Sequence, residues 1–232
     1  MLDSGDILYE DNHLLIVNKP AGVLAQGDKT GDVDLTELAR NYLKKKYSKP
    51  GNVFVGLPHR IDRPVSGALI LCKTSKSLSR VSELFNKKKI SKVYWAIVKN
   101  KPHDKKGKLI HWLIKDRELN KVRAYIRETE NAQRAELDYE TIQVSGNYCL
   151  LEVHPLTGRP HQIRVQLAEI NIPIAGDVKY GGESIGDNNR INLHARSVEF
   201  LHPVKNEIVK IVAPLPETGL WKLFKRFENI YQ

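Results

Sequence analysis

Apolar positions along the chain switch between short continuous runs and helical spacing, and the switches mark the elements. Ile7 to Val17 reads as strand material around a short turn at Glu10–His13. Asn18-Lys-Pro-Ala-Gly22 is a turn, because proline fixes φ and glycine permits positive φ. Behind Asp34, a residue suited to capping a helix, Leu35, Leu38, Ala39, Tyr42 and Leu43 share one helical face. Ser48-Lys-Pro-Gly51 ends that helix. Ala68-Leu-Ile-Leu-Cys72 is an unbroken apolar run and predicts a buried strand. Ser75 to Lys88 returns to helical spacing, with Leu78, Val81, Leu84 and Phe85 inward. Val93 to Val98 predicts a strand, and Ile110 to Val153 is β-rich. Within it, Gln133 to Ile142 alternates in part, and Ser145-Gly-Asn147 marks a hairpin turn. Gln162 to Ile170 predicts a helix after the polar segment Thr157–His161. Ser197–Phe200 and Glu207–Val212 are late strands, and Pro216 to Asn229 predicts a closing helix with Leu220, Leu223, Phe224 and Phe227 on its apolar face. With no repeat and no clear linker, the pattern predicts one α+β domain over residues 1–232, its mostly antiparallel mixed sheet flanked by helices and loops.

Charge changes the picture more than composition does. Lysine and arginine number 37 against 27 aspartates and glutamates, a formal charge of +10. Such a balance favours anionic partners, nucleic acid first and an anionic membrane surface second. A lysine-rich proteome alone also raises the charge, and the lysines of Asn86–Lys92 suit a solvated helix end equally well. No amphipathic basic helix with aromatic anchors supports the membrane reading. No apolar run reaches the roughly 18–20 residues that cross a bilayer. The first residues carry no basic leader ahead of an apolar stretch, and two cysteines make no disulfide framework, so a reducing cytoplasm is expected.

Two polar clusters carry candidate chemistry. In Pro58-His-Arg-Ile-Asp-Arg-Pro-Val-Ser-Gly67, arginines flank Asp62, and their charge favours an ionised carboxylate that accepts or attacks. Arg60 and Arg63 are candidates for phosphate oxygens. On spacing alone the plainer reading is a surface loop in which Asp62 balances its arginines. In His154-Pro-Leu-Thr-Gly-Arg-Pro-His-Gln-Ile-Arg164, donors precede a helix start, where free N–H groups suit anions. Arg164 lies within the apolar run Ile163, Val165, Leu167, so it calls for a carboxylate partner, Asp62 being one candidate, unless it snorkels to the surface. Gly176-Asp-Val-Lys-Tyr-Gly-Gly182 is a tight loop without the order of a phosphate-binding P-loop. His154, His161, His194 and His202 do not fall in a zinc spacing, and no serine nucleophile elbow exists, so neither a metal site nor a serine or cysteine hydrolase is expected.

Taken in order, these segments resemble the RluA-type family of RNA pseudouridine synthases. Asn18–Gly22 is similar to its first motif, His59–Gly67 to its catalytic motif, Lys92-Val-Tyr94 to its lysine-x-tyrosine element and Gly158–Arg164 to its later arginine motif. Gly176–Gly181 and Leu193-His-Ala195 fit the closing elements. Val65 departs from the threonine more common there and reads as a packing variation. Many relatives carry an N-terminal S4 domain; here the catalytic pattern starts within the first ten residues, so a stand-alone catalytic domain is expected.

The resemblance implies roles. Asp62 would start cleavage of a uridine's N-glycosidic bond, after which the uracil turns and rejoins through C5. Arg164 would pair with Asp62, and Tyr94 would stack on the base, although without the motif Tyr94 reads as a core tyrosine. Arg60 would enter the space left by the extruded nucleotide. Leu193 would line the uracil pocket. His59, Arg63, Arg159, His161 and Gln162 would serve RNA or substrate binding, with His161 and Gln162 organising their loop rather than reacting. No cofactor or metal is implied. The implied partner is a tRNA or ribosomal RNA stem-loop with an exposed uridine, and with no spare apolar stripe in the sequence a monomer is expected. A non-catalytic RNA-binding or RNA-chaperone protein is the competing reading, and Asp62, Tyr94 and Arg164 argue against it, because binding alone does not need that trio.

Overall fold

The computed structural model describes residues 2–28, 31–186 and 190–228. In chain order its strands and α-helices are β1 (Ile7–Glu10), β2 (Leu14–Lys19), α1 (Leu35–Lys46), β3 (Ser66–Cys72), α2 (Ser75–Asn86), β4 (Ser91–Lys99), β5 (Lys106–Asp116), β6 (Lys121–Tyr125), β7 (Gln133–Ser145), β8 (Tyr148–Pro155), α3 (Gln162–Glu169), β9 (Leu193–Leu201) and β10 (Ile208–Val212). The chain forms two compact units, Met1–Lys92 with Ala195–Pro214, and Val93–His194 with Leu215–Gln232. The class is α+β, as the hydrophobic pattern predicts.

In the first unit β1 pairs with β2, β2 with β3 and β9 with β10, all antiparallel. Asp11 sets the first turn: its Oδ1 accepts the N–H groups of His13 and Leu14, both at 2.8 Å. Leu14, Leu15, Ile16 and Val17 are all fully buried, which is why β2 reads as an unbroken apolar run rather than an alternating one. Asp34 caps α1 through the Glu37 N–H, and Thr74 and Ser77 close a reciprocal capping box on α2. Val81, with Leu78, Leu84 and Phe85 beside it, packs α2 onto Leu14, Ile16, Ala68 and Ile70. The C-terminal turn of α1 is tied down by Glu10, which accepts from Lys46, Lys73, Tyr42 and Tyr47. Burial raises the Glu10 pKa, those donors outweigh it, and the result is about 2.

In the second unit the pairings β4–β8, β8–β7, β7–β5 and β5–β6 are again antiparallel. Ser145 faces Tyr148 across the expected hairpin, where Gly146 takes φ +56°. One core joins Trp95, Ile97 and Leu150 to Trp221 and Phe224; another joins Leu113, Val122 and Ala135 to Val165 of α3.

One expected element differs. The closing helix from Pro216 to Asn229 is not formed over the described residues, and Asn229 lies outside them. Two 3-10 turns, Gly219–Leu223 and Lys225–Phe227, stand there instead. Gly219 enters with φ +62°, and the buried residues Trp221 and Phe224 lie three apart, the repeat of a 3-10 turn. Leu223, expected inward, is 40% exposed.

Candidate active site

In the first unit the loop that carries Asp62 is held from behind by a buried lysine. Lys19, fully buried at the end of β2, donates Nζ to the carbonyls of Pro20 (2.8 Å), Val23 (2.7 Å) and Arg63 (3.1 Å). Three donations to three carbonyls need three N–H groups, which only the ammonium form supplies. Burial lowers the Lys19 pKa to about 7; the charge of Asp62 opposes that fall and Arg63 adds to it. Gly22, at φ +91°, donates its N–H to the Arg63 carbonyl at 2.8 Å, and Arg63 returns Nε to the Gly22 carbonyl at 2.9 Å. The proline–glycine turn of the first motif and the Asp62 loop are therefore one hydrogen-bonded body.

Arg63, expected to meet RNA, spends its guanidinium on Gly22 and on Asp32, 2.8 Å away. His59, likewise expected at the RNA, accepts the Ile70 N–H on Nε2 at 3.0 Å and stacks on Phe85. Burial, with the charge of Lys92 second, lowers its pKa to about 3, so the ring is neutral and anchors the loop to β3 and α2. Arg60 is exposed and Asp62 half-buried. Past the loop, Gly67 has φ +112°, and a Cβ there would lie 2.3 Å from the carbonyl oxygen of Ala195 and 2.6 Å from its nitrogen. Only glycine lets these backbones approach so closely.

In the second unit the arginine motif is also built on internal bonds. Gln162, 4% exposed, accepts from the Thr157 hydroxyl and the Arg159 N–H and donates to the Glu136 carbonyl. Its amide is occupied by the protein, which suits the expected loop-organising role. His161 starts α3 in the left-handed region at φ +52°, and its Nδ1 lies 2.7 Å from the Tyr180 hydroxyl, which also accepts the Val122 N–H. Arg159 is exposed, Tyr94 is half-buried opposite Val153, and Leu193 is buried at the start of β9.

Arg164 is buried, as its apolar neighbours predict, and its Nε and Nη2 bind both oxygens of Asp177 at 2.7 and 2.9 Å. The ring of Tyr180 lies 5.1 Å from the guanidinium carbon. Asp177 is a partner the sequence reading missed. The available signal was the glycine-rich loop around it: Gly176 takes φ +90°, and a Cβ on Gly182 would lie 2.2 Å from the Ile174 carbonyl. Among the described residues no group of three or more histidines, cysteines, aspartates or glutamates is placed to hold a metal ion. Among the described residues no helix is long and apolar enough to cross a membrane.

Comparison with known proteins adds an independent line. Residues 13–169 match the family model described as RNA pseudouridylate synthase. A ribosomal large subunit pseudouridine synthase C of Buchnera aphidicola is 37% identical over 90% of this chain, which spans 67% of that relative. A tRNA pseudouridine synthase C of Vibrio parahaemolyticus is 32% identical, covering 96% of this chain and 95% of its own length. Among solved structures, human RNA pseudouridylate synthase domain containing 4 superposes with a TM-score of 0.76 at 25% identity, over 96% of this chain and 90% of that one. The ordered motifs, the α+β architecture and these matches together place the chain in the RNA pseudouridylate synthase family of RNA-modifying isomerases.

Proposed function

We propose that this chain is a site-specific synthase for an exposed uridine in structured tRNA or ribosomal RNA, with Asp62 as its catalytic residue. One observation carries the assignment: a buried lysine, a positive-φ glycine and Arg63 are all spent on fixing the short loop that carries Asp62. Such fixing suits a carboxylate that must meet a substrate in a set position. The isomerisation breaks one glycosidic bond and forms one carbon–carbon bond, with no change of oxidation state. An ionised Asp62 serves whether it attacks the ribose or removes a proton on a glycal-like route. Tyr94 stacks on the base, Arg164 joins Asp62 among the catalytic residues, Arg60 occupies the space left by the extruded nucleotide, and Leu193 lines the uracil pocket. The names of the relatives divide between large-subunit RNA and tRNA, so both pools are candidate substrates. The basic charge supplies phosphate contacts, and affinity falls as salt rises. We assign the protein to the cytoplasm and to one catalytic domain acting as a monomer, without metal or cofactor.

The test uses purified protein and its variant. Asp62→Ala abolishes pseudouridine formation on bulk tRNA and ribosomal RNA while keeping RNA affinity. Product formed by the variant at the wild-type rate removes Asp62 from the chemistry. No product from either protein favours a non-catalytic RNA-binding role.

A further inference from the structure

β7, β5 and β6 are neighbours in that order, and their two faces differ. One face buries Leu113, Val122 and Ala135 against Val165 and Tyr180. On the other, the register sets Trp112 directly between Arg134 of β7 and Tyr125 of β6, with Ile114 beside Arg123 in the next row. Register partners project to the same side of a sheet, so these residues share a face. Trp112, Ile114 and Tyr125 are half-exposed, and Arg123 and Arg134 are exposed. The other tryptophans are buried, Trp95 at 0% and Trp221 at 4% exposure.

Charge divides this face along its length. Toward the start of β5, Lys108 and Arg134 close on Glu136, and Lys106 on Glu140. Toward the hairpin end, Arg123 enters no ion pair among the described residues, while the acid there, Asp116, is used in the turn as acceptor for the Leu119 N–H. The row also continues from the arginine motif, because Arg159 donates Nε to the Arg134 carbonyl at 3.3 Å and Leu156 donates its N–H to that of Glu136. From β7 to β6 is two strand spacings, about 10 Å, room for a base or two.

We propose that this face binds the unpaired RNA flanking the target uridine, with bases stacked on Trp112 and Tyr125 and phosphates held by Arg123 and Arg159. Aromatic rings interleaved with guanidinium groups suit single-stranded nucleic acid, since every base offers a π-face and every linkage a phosphate. None of Trp112, Ile114, Arg123 and Tyr125 belongs to the motif segments. The proposal rests on the synthase reading above, because it concerns the same RNA.

Trp112 is its own probe. We titrate intrinsic fluorescence with a uridine-bearing stem-loop RNA carrying an unpaired flank, and with the same stem-loop cut back to its paired ends. The flanked RNA quenches the emission and the trimmed RNA does not, and Trp112→Phe removes the quench. Trp112→Ala and Arg123→Glu each weaken binding of the flanked RNA about tenfold and leave the trimmed RNA unaffected. No quench, or flanked-RNA binding unchanged in both variants, overturns the proposal. Protection of Trp112 that appears on raising protein concentration without RNA also overturns it, in favour of a second copy of the chain. Repeating the titration with Asp62→Ala separates the two readings: an intact quench while the variant still forms product leaves the surface standing and isolates the fault in the catalytic assignment.

Discussion

Asp177→Asn tests how far the buried arginine depends on its carboxylate. In the protein Arg164 and Asp177 are 5% and 1% exposed and share two hydrogen bonds, at 2.7 and 2.9 Å. Asparagine keeps one acceptor oxygen but turns an amide N–H₂ toward a guanidinium N–H, so one bond and the countercharge are lost together. Removing one carboxylate from a buried ion pair costs about 3–5 kcal/mol. That is a large part of the roughly 5–15 kcal/mol that holds a domain together. The assay is urea unfolding followed by tryptophan emission, because Trp95, Trp112 and Trp221 all lie in the unit that contains the pair. The double variant Arg164→Met, Asp177→Leu removes both members of the pair and is expected to be more stable than Asp177→Asn. A single-variant loss under about 1 kcal/mol, or a double variant as unstable as the single, refutes the reasoning.

Gly67→Ala is expected to unfold the first unit or lower its stability by more than about 3 kcal/mol, read by circular dichroism melting, since the methyl would overlap the Ala195 backbone and the φ of +112° disfavours any side chain. Lys19→Met removes the ammonium that the carbonyls of Pro20, Val23 and Arg63 share. Loosening of the Asp62 loop is then expected to lower kcat on the order of 100-fold while RNA affinity, measured by filter binding, holds. Glu10, depressed from 4.5 to about 2, contributes stability that is present above pH 4.5 and is lost as pH falls toward 2; urea midpoints at pH 6 and pH 3 should show a smaller acid loss in Glu10→Gln.

What could be read from the sequence was whatever depended on near neighbours. Asp34 and the apolar spacing behind it located α1, and the continuous runs located β2 and β3, because burial on both faces leaves no room for polar alternation. The closing segment misled, since apolar residues at 220, 223, 224 and 227 fit both an α-helix and successive 3-10 turns; the deciding features were the positive φ of Gly219 and burial of Trp221. The motif residues were found, but several of their partners were not. That Lys19 would bind a carbonyl 44 positions away, or that Arg164 would close on Asp177, depends on loop paths that periodicity does not encode. For the same reason the bonds and stacking by which His59 and Arg63 brace the loop are not legible in the sequence.

The central claim is that Asp62 makes pseudouridine in RNA. The most direct test is pseudouridine mapping of total tRNA and ribosomal RNA from cells with and without the gene for this protein. The account predicts at least one uridine that loses its modification in the deleted strain and regains it with the wild-type protein but not with Asp62→Ala. Restoration of that site by Asp62→Ala would contradict it.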